Sequence, residues 1–333
     1  MINRLRRRRG RNNRTPLTVT HVGRLSTDHA GDELVSVSIG PDGEAVALWA
    51  GPADAAVLQD REVAPSGASF AVDRLDEAVT VRVSVHTPRL TQQLSIPGLR
   101  FTYPVVQPMP GGAFLVVGPR VRRGTDGTPP NAVVYDAAGQ VVAEGLLGDG
   151  IEHVQATPSG NVWVGYFDEG VYGNFGWGDG PGTEPIGSDG LLRFTPELTL
   201  DWRYHAEGDT DPISDCYALN VAGESAWACY YTGFPLIAVR RDEVRSWRNT
   251  VEGASAIAVH EDRVALYGGY GENSDRLVIG RIGADAVEVE REHQVVLPGG
   301  SPISAIDVSG RGSTLNLFAG PDWYRLDLAD LVG

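Results

Sequence analysis

The sequence of 333 residues contains no lysine, so all 28 basic residues are arginines. Without lysine the chain cannot form a Schiff base and has no P-loop lysine, which excludes both kinds of chemistry. Its two cysteines are too few for a fold held together by disulfides. No run of about 18 apolar residues occurs, so no membrane span is predicted. The polar residues after Arg9 also lack the apolar part of an export signal, and we expect a cytoplasmic protein.

The familiar catalytic motifs are absent as well. There is no Gly-x-Ser-x-Gly nucleophile elbow. His260-Glu261 begins like a zinc-protease motif, but the second histidine is missing. The glycine-rich stretch 176–182 does not join a strand to a helix, as a dinucleotide-binding loop does. These absences favour a non-catalytic protein without excluding an enzyme.

The charge of the chain is unevenly distributed. Residues 1–16 hold seven arginines and no acid, whereas the whole chain has a formal net charge of −15. Residues 17–333 therefore carry a net charge of −22. A body this acidic repels phosphates, which argues against nucleic-acid binding by the main domain. We interpret residues 1–16 as a disordered tail and 17–333 as one domain. The alternative for the tail is binding to an anionic partner or membrane surface.

A repeated hairpin is the main pattern in the sequence. An apolar strand, a tight glycine-containing turn and a second apolar strand recur at 35–49, 103–117, 152–166, 215–231, 255–266 and 303–318. A second hairpin follows most of them. Four strands per repeat of about fifty residues are typical of a propeller blade. The sequence therefore predicts an all-β protein, a β-propeller of six four-stranded blades.

The predicted blades cover 33–97, 100–147, 151–205, 213–249, 254–293 and 301–327. Seven blades remain an alternative, because the first repeat is long and 68–83 could form a further hairpin. The last blade has only three strands before the chain ends. We expect the segment from Leu17 to Leu25 to supply its outer strand and so to close the propeller.

One blade carries a family resemblance. Pro158-Ser-Gly-Asn-Val-Trp-Val-Gly-Tyr, followed by Gly190-Leu-Leu-Arg-Phe, resembles the repeats of NHL-like, two-component-regulator-type and SMP-30-like propellers. The wider run from Gly148 to Trp177 is similar to uncharacterised actinobacterial propeller proteins. Such families include sensor domains, protein-binding scaffolds, and metal-dependent lactonases and lyases. The resemblance implies the fold and leaves the chemistry open.

Carboxylates at the predicted channel mouth are the best candidates for a site. Aligning the third and fourth hairpins on Gly160 and Gly223 places Glu152 and Asp215 at equivalent points. With Asp168, they could hold a divalent cation such as Ca²⁺, the one cofactor that the sequence suggests. The alternative is a set of solvated turn acids.

The same face should carry the loop 170–189. We expect its aromatic residues, with one from a neighbouring blade, to contact a ligand; these are Tyr172, Phe175, Trp177 and Tyr230. The predicted function is that of a monomeric, non-catalytic propeller that binds a protein or small ligand on this face. The alternative is a metal-dependent lactonase- or lyase-like enzyme, in which His153 would move a proton.

Two further expectations concern packing. Trp49, Trp163, Trp227 and Phe318 fall on second strands and should lie between blades. If Ala222-Gly223 is the turn of the fourth hairpin, Cys216 and Cys229 should face each other as free thiols.

Overall fold

The protein is described by a computed structural model that covers residues 14–63, 67, 69–125, 127–208, 210–303 and 307–332. Strands account for 54 % of the structure and helices for 7 %, so the prediction of a mostly β protein is confirmed. Within the described ranges, no helix is long and apolar enough to cross a membrane.

The chain begins with two short strands and then builds the first sheet. The N-terminal strands are β1 (Thr15–Thr18) and β2 (Thr20–Arg24). The first sheet and its insertion comprise β3 (Glu33–Ile39), β4 (Ala45–Ala50), α1 (Pro52–Leu58), β5 (Arg61–Val63), β6 (Ser69–Ala71), β7 (Arg74–His86) and β8 (Leu90–Phe101). The sheet order is β3-β4-β7-β8, while β5 and β6 form a separate small hairpin. The long first repeat is thus one sheet with an insertion.

The next three sheets are antiparallel meanders of consecutive strands. The second has β9 (Val105–Met109), β10 (Ala113–Val117), β11 (Ala132–Tyr135) and β12 (Val141–Gly145). The third has β13 (Ile151–Ala156), β14 (Val162–Tyr166), the short helix α2 (Asp168–Tyr172), β15 (Leu191–Phe194) and β16 (Leu200–Arg203). The fourth has β17 (Asp215–Ala222), β18 (Ser225–Tyr231), β19 (Leu236–Arg240) and β20 (Glu243–Trp247).

The last two sheets incorporate the N-terminal strands. The fifth has β21 (Ala254–His260), β22 (Arg263–Gly268), β23 (Arg276–Ile282) and β24 (Val287–Val296), and β1 joins its outer edge. The sixth has β25 (Asp307–Arg311), β26 (Thr314–Ala319) and β27 (Asp322–Asp327), and β2 pairs with β27 as its fourth strand. The chain ends in α3 (Leu328–Val332).

Apolar clusters lie between consecutive sheets, and this explains why the strands are buried on both faces. For example, Val46 and Leu48 of the first sheet pack with Phe114 and Val116 of the second. A further cluster joins the sixth sheet to the first and contains both Phe318 and Trp49. The prediction for the large aromatic residues of second strands is confirmed: Trp49, Trp163, Trp227 and Phe318 are all buried.

The first strands of the sheets also contact one another in cyclic order: β3 with β9, β9 with β13, β13 with β17, β17 with β21, β21 with β25, and β25 with β3. This arrangement surrounds a central space with β3, β9, β13, β17, β21 and β25.

The N-terminal segment differs in detail from the single strand expected over 17–25. It forms two strands, with β1 parallel to β24 and β2 antiparallel to β27. Arg14 bonds to Glu292 and Asn273, and Thr15 and Pro16, assigned to the tail from sequence, belong to β1. Residues 1–13 lie outside the described part of the chain.

The predicted pairing of the two cysteines is wrong. The turn of the fourth hairpin is Gly223-Glu224, and a β-bulge interrupts β17 between Cys216 and Ala218. Cys216 therefore lies opposite Tyr230, whereas Cys229 lies opposite Ala218. Both cysteines are free and buried, but they pack into apolar clusters on opposite faces of the sheet.

Candidate functional site

A cavity of about 630 Å³, here called the central cavity, is lined mainly by residues of β3, β9, β13, β17, β21 and β25. Its volume falls in the range that small-molecule sites occupy. Serine hydroxyls, glutamine amides, carboxylates and valine side chains all contribute to its wall. The cavity lies where these first strands come together, and many of its lining side chains are polar.

The residues at the cavity mouth are positioned by β-bulges. Val35, Glu152, Tyr217 and Ser255 are each the extra residue of a bulge in β3, β13, β17 and β21. A bulge re-aims a side chain without disturbing the pairing beyond it. All four residues line the central cavity. The structural equivalent of Glu152 is therefore Tyr217, which corrects the match with Asp215 expected from the turn glycines.

The opposite end of the cavity is blocked where first strands converge. β17 and β25 pair directly at Asn220 and Gly310, although β21 lies between them in the cyclic order. A Cβ atom placed on Gly310 would lie 1.7 Å from the carbonyl oxygen of Ile257, so only glycine fits there. The turn of this hairpin is at Gly312-Ser313, and Gly310 lies inside β25.

Buried side chains complete this floor. The Gln155 amide donates to the carbonyl oxygens of Leu219 and Gly310, and its Oε1 accepts from the Val221 amide and from Arg311. Arg311 also donates to the Ala156 carbonyl oxygen. Burial lowers the pKa of Arg311 to about 10, which still leaves it charged at neutral pH.

Both the nitrogen and the oxygen of the Asn220 side-chain amide make hydrogen bonds, as those of Gln155 do. It donates to the carbonyl oxygens of Ile257 and Gly312 and accepts from the Gly312 amide. Side-chain bonds of Gln155 and Asn220 thus tie neighbouring first strands together at this end of the cavity, here called the floor.

The cavity wall, in contrast, has polar groups that make no hydrogen bond within the described ranges. The Ser38 hydroxyl and the Gln107 amide nitrogen belong to side chains that are only 7 % and 2 % exposed, and both residues line the cavity. Ser36 Oγ and His153 Nε2 are buried without a partner. Buried polar groups are normally satisfied. Ser36 Oγ and His153 Nε2 are therefore exceptions to this rule in the described part of the chain.

Two carboxylates face the same cavity. Asp307 and Glu152 both line it, and neither has an arginine or histidine nitrogen within 4.0 Å in the part of the chain that the structure describes. The surrounding protein raises the pKa of Asp307, because burial disfavours the charged form.

A second pocket of about 390 Å³, here called the side pocket, adjoins the central cavity. Its lining consists of Asp168, Tyr172, Ser214, Asp215, Tyr217, Tyr231 and Thr232. Tyr217 lines both spaces. Burial, then the nearby Asp168 and then Glu152 raise the pKa of Asp215 to about 6. The side pocket thus concentrates negative charge that no neighbouring cation neutralises in the described ranges.

Helix α2 places Asp168 and Tyr172 at this pocket. The helix packs closely on the loop before β13, since a Cβ atom on Gly150 would lie 2.2 Å from the Gly170 nitrogen. Arg120 fixes the helix from below: its guanidinium lies 2.7 Å from Glu169 and 3.0 Å from Asp149. Two glycines and the two ion pairs of Arg120 therefore hold the helix that carries Asp168 and Tyr172.

The predicted aromatic contacts divide into one open residue and three that pack. Tyr172 is 66 % exposed, and its hydroxyl lies 2.7 Å from that of Ser214. Phe175 lies against Arg120 and Arg122, with each guanidinium 4.4 Å from the centre of its ring.

Trp177 and Tyr230 are buried in the protein. Trp177 Nε1 donates to the Val121 carbonyl oxygen at 2.9 Å. The Tyr230 hydroxyl bonds to Tyr204 at 3.0 Å and to the Asp211 carbonyl oxygen at 2.9 Å. The polar atoms of both side chains already have partners inside the protein, and their contact with a ligand stays a prediction.

Sequence reasoning missed the aromatic group beside Asp215. Tyr217, Tyr231, Phe234 and Tyr270 form a cluster of edge-to-face rings, with centroids 5.2–6.2 Å apart. Tyr231 and Tyr270 are 45 % and 53 % exposed. The signal that could have found this cluster is the density of aromatic residues in the run from Cys229 to Phe234.

The expected metal ligands come together only in part. Asp168 and Asp215 share the side pocket, while Glu152 faces the central cavity. Among the described residues, no three histidine, cysteine, aspartate or glutamate side chains are arranged to hold a metal ion. His153 lines the cavity, and its Nε2 atom is buried with no hydrogen-bond partner in the described ranges.

Comparison with known proteins gives structural neighbours alone. No protein-family profile matches the sequence, and no curated protein matches it. The solved structures that match are β-propeller proteins. A gluconolactonase from Xanthomonas campestris has 12 % identity and a TM-score of 0.41, covering 92 % of this chain and 98 % of its own. A virginiamycin B lyase from Staphylococcus aureus has 10 % identity and a TM-score of 0.43, with the same coverage.

The β-propeller domain of Myceliophthora thermophila Swd1 has 10 % identity and a TM-score of 0.48, covering 93 % of this chain and 86 % of that one. At these identities and scores, none of the likenesses carries a reaction or a ligand over to this chain. The resemblance of one blade to NHL-like and SMP-30-like repeats stays a prediction.

Proposed function

We propose that the chain is a non-catalytic, six-bladed β-propeller, closed by its N-terminal strand, that binds a small positively charged ligand on the face carrying residues 170–189. The architecture is supported by the cyclic contacts of the first strands and by the apolar clusters between consecutive sheets, including that between the last and the first.

The observation that carries the ligand proposal is the environment of Asp215. Two carboxylates, those of Asp168 and Asp215, line one pocket with no arginine or histidine within 4.0 Å among the described residues. Burial first, and then the charges of Asp168 and Glu152, raise the pKa of Asp215, so keeping this carboxylate ionised without a counter-ion costs free energy. A bound cation removes that cost.

Aromatic residues make an organic cation the best match. Tyr172 and Tyr231 line the same pocket and are well exposed. Tyrosine faces attract ammonium groups and pack against the alkyl carbons that bear them. The side pocket is also much larger than the coordination shell of one metal ion, at about 390 Å³.

The test is calorimetric titration of n-butylamine and choline into the wild-type protein, the double variant Asp168→Asn/Asp215→Asn, and Glu197→Gln. Glu197 is an exposed acid on the turn between β15 and β16, outside both pockets, and serves as the control. We expect heat with the wild type and the control, and none with the double variant. Binding should weaken below about pH 6, as Asp215 takes up a proton.

The same titration separates the alternatives. Absence of heat with both amines would contradict the proposal. Heat with Ca²⁺, Mg²⁺ or Zn²⁺ that the double variant abolishes would favour the metal-dependent enzyme instead, to be followed by lactone hydrolysis assays.

A further inference from the structure

A third pocket, here called the inter-sheet pocket, lies between the fourth and fifth sheets. Its volume is about 550 Å³, which is within the range of small-molecule sites. The fourth sheet contributes Trp227, Arg240, Arg245 and Trp247 to its lining, and the fifth contributes Ile282. None of its lining residues lines the central cavity or the side pocket, so the proposed cation site does not account for it.

Strand pairing places two arginines next to each other in this pocket. Arg240 of β19 lies opposite Glu243 of β20, and Ala238, two residues before Arg240, lies opposite Arg245. Arg240 and Arg245 are therefore diagonal neighbours on one face of the sheet, a spacing that long side chains bridge. In the part of the chain that the structure describes, no carboxylate oxygen lies within 4.0 Å of either guanidinium. The two positive charges repel each other, and an anion placed between them would remove that cost.

Tryptophan rings support both guanidinium groups. The rings of Trp227 and Trp247 are stacked, with centroids 5.6 Å apart. Arg240 Cζ lies 5.1 Å from the centre of the Trp227 ring, and Arg245 Cζ lies 4.7 Å from that of Trp247. Trp247 Nε1 donates to the Gly283 carbonyl oxygen at 3.1 Å, which ties this stack to the fifth sheet. A guanidinium held on an aromatic face is pre-organised to bind a carboxylate with two parallel hydrogen bonds.

The third sheet contains the same motif in a neutralised form. Arg193 Cζ lies 5.4 Å from the centre of the Trp163 ring. Its guanidinium forms ion pairs with Asp201 at 2.5 Å and with Asp242 at 2.7 Å. Arg240 and Arg245 have no such pairs among the described residues, so the inter-sheet pocket keeps its two positive charges available for an anion from outside.

The acids of the pocket limit the charge of that anion. Asp262 is already paired with Arg263 at 2.5 Å and with Arg281 at 3.0 Å. Glu243 and Glu261 also line the pocket and are exposed, and neither has an arginine or histidine nitrogen within 4.0 Å in the described ranges. These two glutamates repel a ligand with several negative charges more strongly than a ligand with one. A single carboxylate therefore fits the pocket better than a phosphate.

We propose that the inter-sheet pocket is a second binding site, which takes a small monocarboxylate with an apolar body. The carboxylate lies between Arg240 and Arg245, and the apolar body packs against Ile282 and the tryptophan rings. The side pocket and the inter-sheet pocket share no residue and prefer ligands of opposite charge. The inference therefore goes beyond the proposed function and does not depend on it.

The experiment titrates 4-phenylbutyrate into the protein by calorimetry and by tryptophan fluorescence, which reports contact with Trp227 and Trp247. The uncharged 4-phenylbutyramide and the dianion phenyl phosphate serve as comparison ligands. The proteins are the wild type, Arg240→Gln, Arg245→Gln and the control Arg241→Gln. Arg241 is an exposed arginine on the same turn and lies outside the pocket lining. Thermal unfolding verifies that each variant is folded, and either pocket variant alone is sufficient for the test.

We expect 4-phenylbutyrate to bind at least about tenfold more tightly than its amide, because only the carboxylate forms charge-assisted hydrogen bonds with the arginines. Phenyl phosphate should bind more weakly than 4-phenylbutyrate, since the glutamates repel its second charge. Arg240→Gln and Arg245→Gln should each weaken 4-phenylbutyrate roughly tenfold and leave the amide unchanged. Arg241→Gln should bind like the wild type.

Three results would overturn the inference: no binding of 4-phenylbutyrate, equal binding of the acid and its amide, or unchanged affinity in a folded Arg240→Gln or Arg245→Gln variant. Tighter binding of phenyl phosphate than of 4-phenylbutyrate would contradict the restriction to one negative charge. Each of these outcomes leaves the cation site untouched, because the amine titrations depend on Asp168 and Asp215 in the side pocket.

Discussion

The two ends of the central cavity are made by the same six strands but differ in whether their polar groups have partners. At the floor, Gln155, Asn220 and Arg311 bond to backbone groups of neighbouring strands. At the mouth, Asp307 and Glu152 have no cationic partner among the described residues, and Asp215 is held beside Asp168. The floor is therefore organised for stability, whereas the mouth retains unfavourable charge, as binding sites commonly do.

The largest effect should come from the closest strand contact at the floor. Gly310→Ala would place a Cβ atom 1.7 Å from the Ile257 oxygen, so the strands must separate. We expect a loss of roughly 3–5 kcal/mol in the free energy of unfolding, or no soluble protein. Chemical denaturation measures it. Gly180→Ala is the control, since nothing lies within 4 Å of its Cβ position; equal stability of the two variants would contradict the close contact.

A smaller loss is expected from the floor amide. Gln155→Ala leaves the Val221 amide and Arg311 without their acceptor, at a cost of about 2–4 kcal/mol. Gln107 is the matched control, because it is equally buried but accepts only from Ala156. Gln107→Ala should cost about half as much. Urea unfolding measures both losses in the free energy of unfolding. A larger loss for Gln107→Ala than for Gln155→Ala would contradict the view that the floor contributes more to stability than the wall.

At the mouth, removing a charge should stabilise the protein. The pKa of Asp215 is raised from 3.8 to about 6 by folding, so the folded state binds more protons and stability falls as pH rises between these values. Asp215→Asn should therefore gain on the order of 1 kcal/mol at pH 7.5, allowing for solvent screening, and nothing at about pH 3.5. Thermal unfolding at both pH values checks this. Destabilisation at pH 7.5 would show that the carboxylate has a partner.

The smallest effect is expected at the rim. Tyr172→Phe removes only an exposed hydrogen bond to Ser214, so stability should change by less than about 0.5 kcal/mol. Binding of n-butylamine should persist, because the ring remains, whereas Tyr172→Ala should weaken it several-fold. Equal loss of binding in both variants would assign the contact to the hydroxyl group instead.

How far the sequence predicts the molecule depends on whether a feature is local. Glycine turns and apolar strands predicted the hairpins, and the position of Trp163 or Trp227 on a second strand predicted its burial. The carboxylates of Asp168 and Asp215 were correctly assigned to one face, because loop positions follow from strand order.

The remaining errors concern features that a local pattern does not reveal. The third hairpin has a longer turn than the fourth, and the fourth turns at Gly223-Glu224, so aligning the turn glycines wrongly matched Glu152 with Asp215, and the assumed turn wrongly paired Cys216 with Cys229. The burial of Trp177 and Tyr230 depends on partners distant in sequence, Val121 and Asp211, that no local pattern reveals.

The bulges at Val35, Glu152, Tyr217 and Ser255 put side chains that take no part in strand pairing at the wall of the central cavity. Each extra residue has no opposite neighbour in its sheet, and one-to-one pairing resumes at the next position. Exchanging one of these side chains therefore leaves the strand register intact. If the proposed binding function holds, single substitutions at these four positions would change the ligand preference without changing the fold. Val35→Glu or Ser255→Asp would be the natural first steps in redirecting this protein.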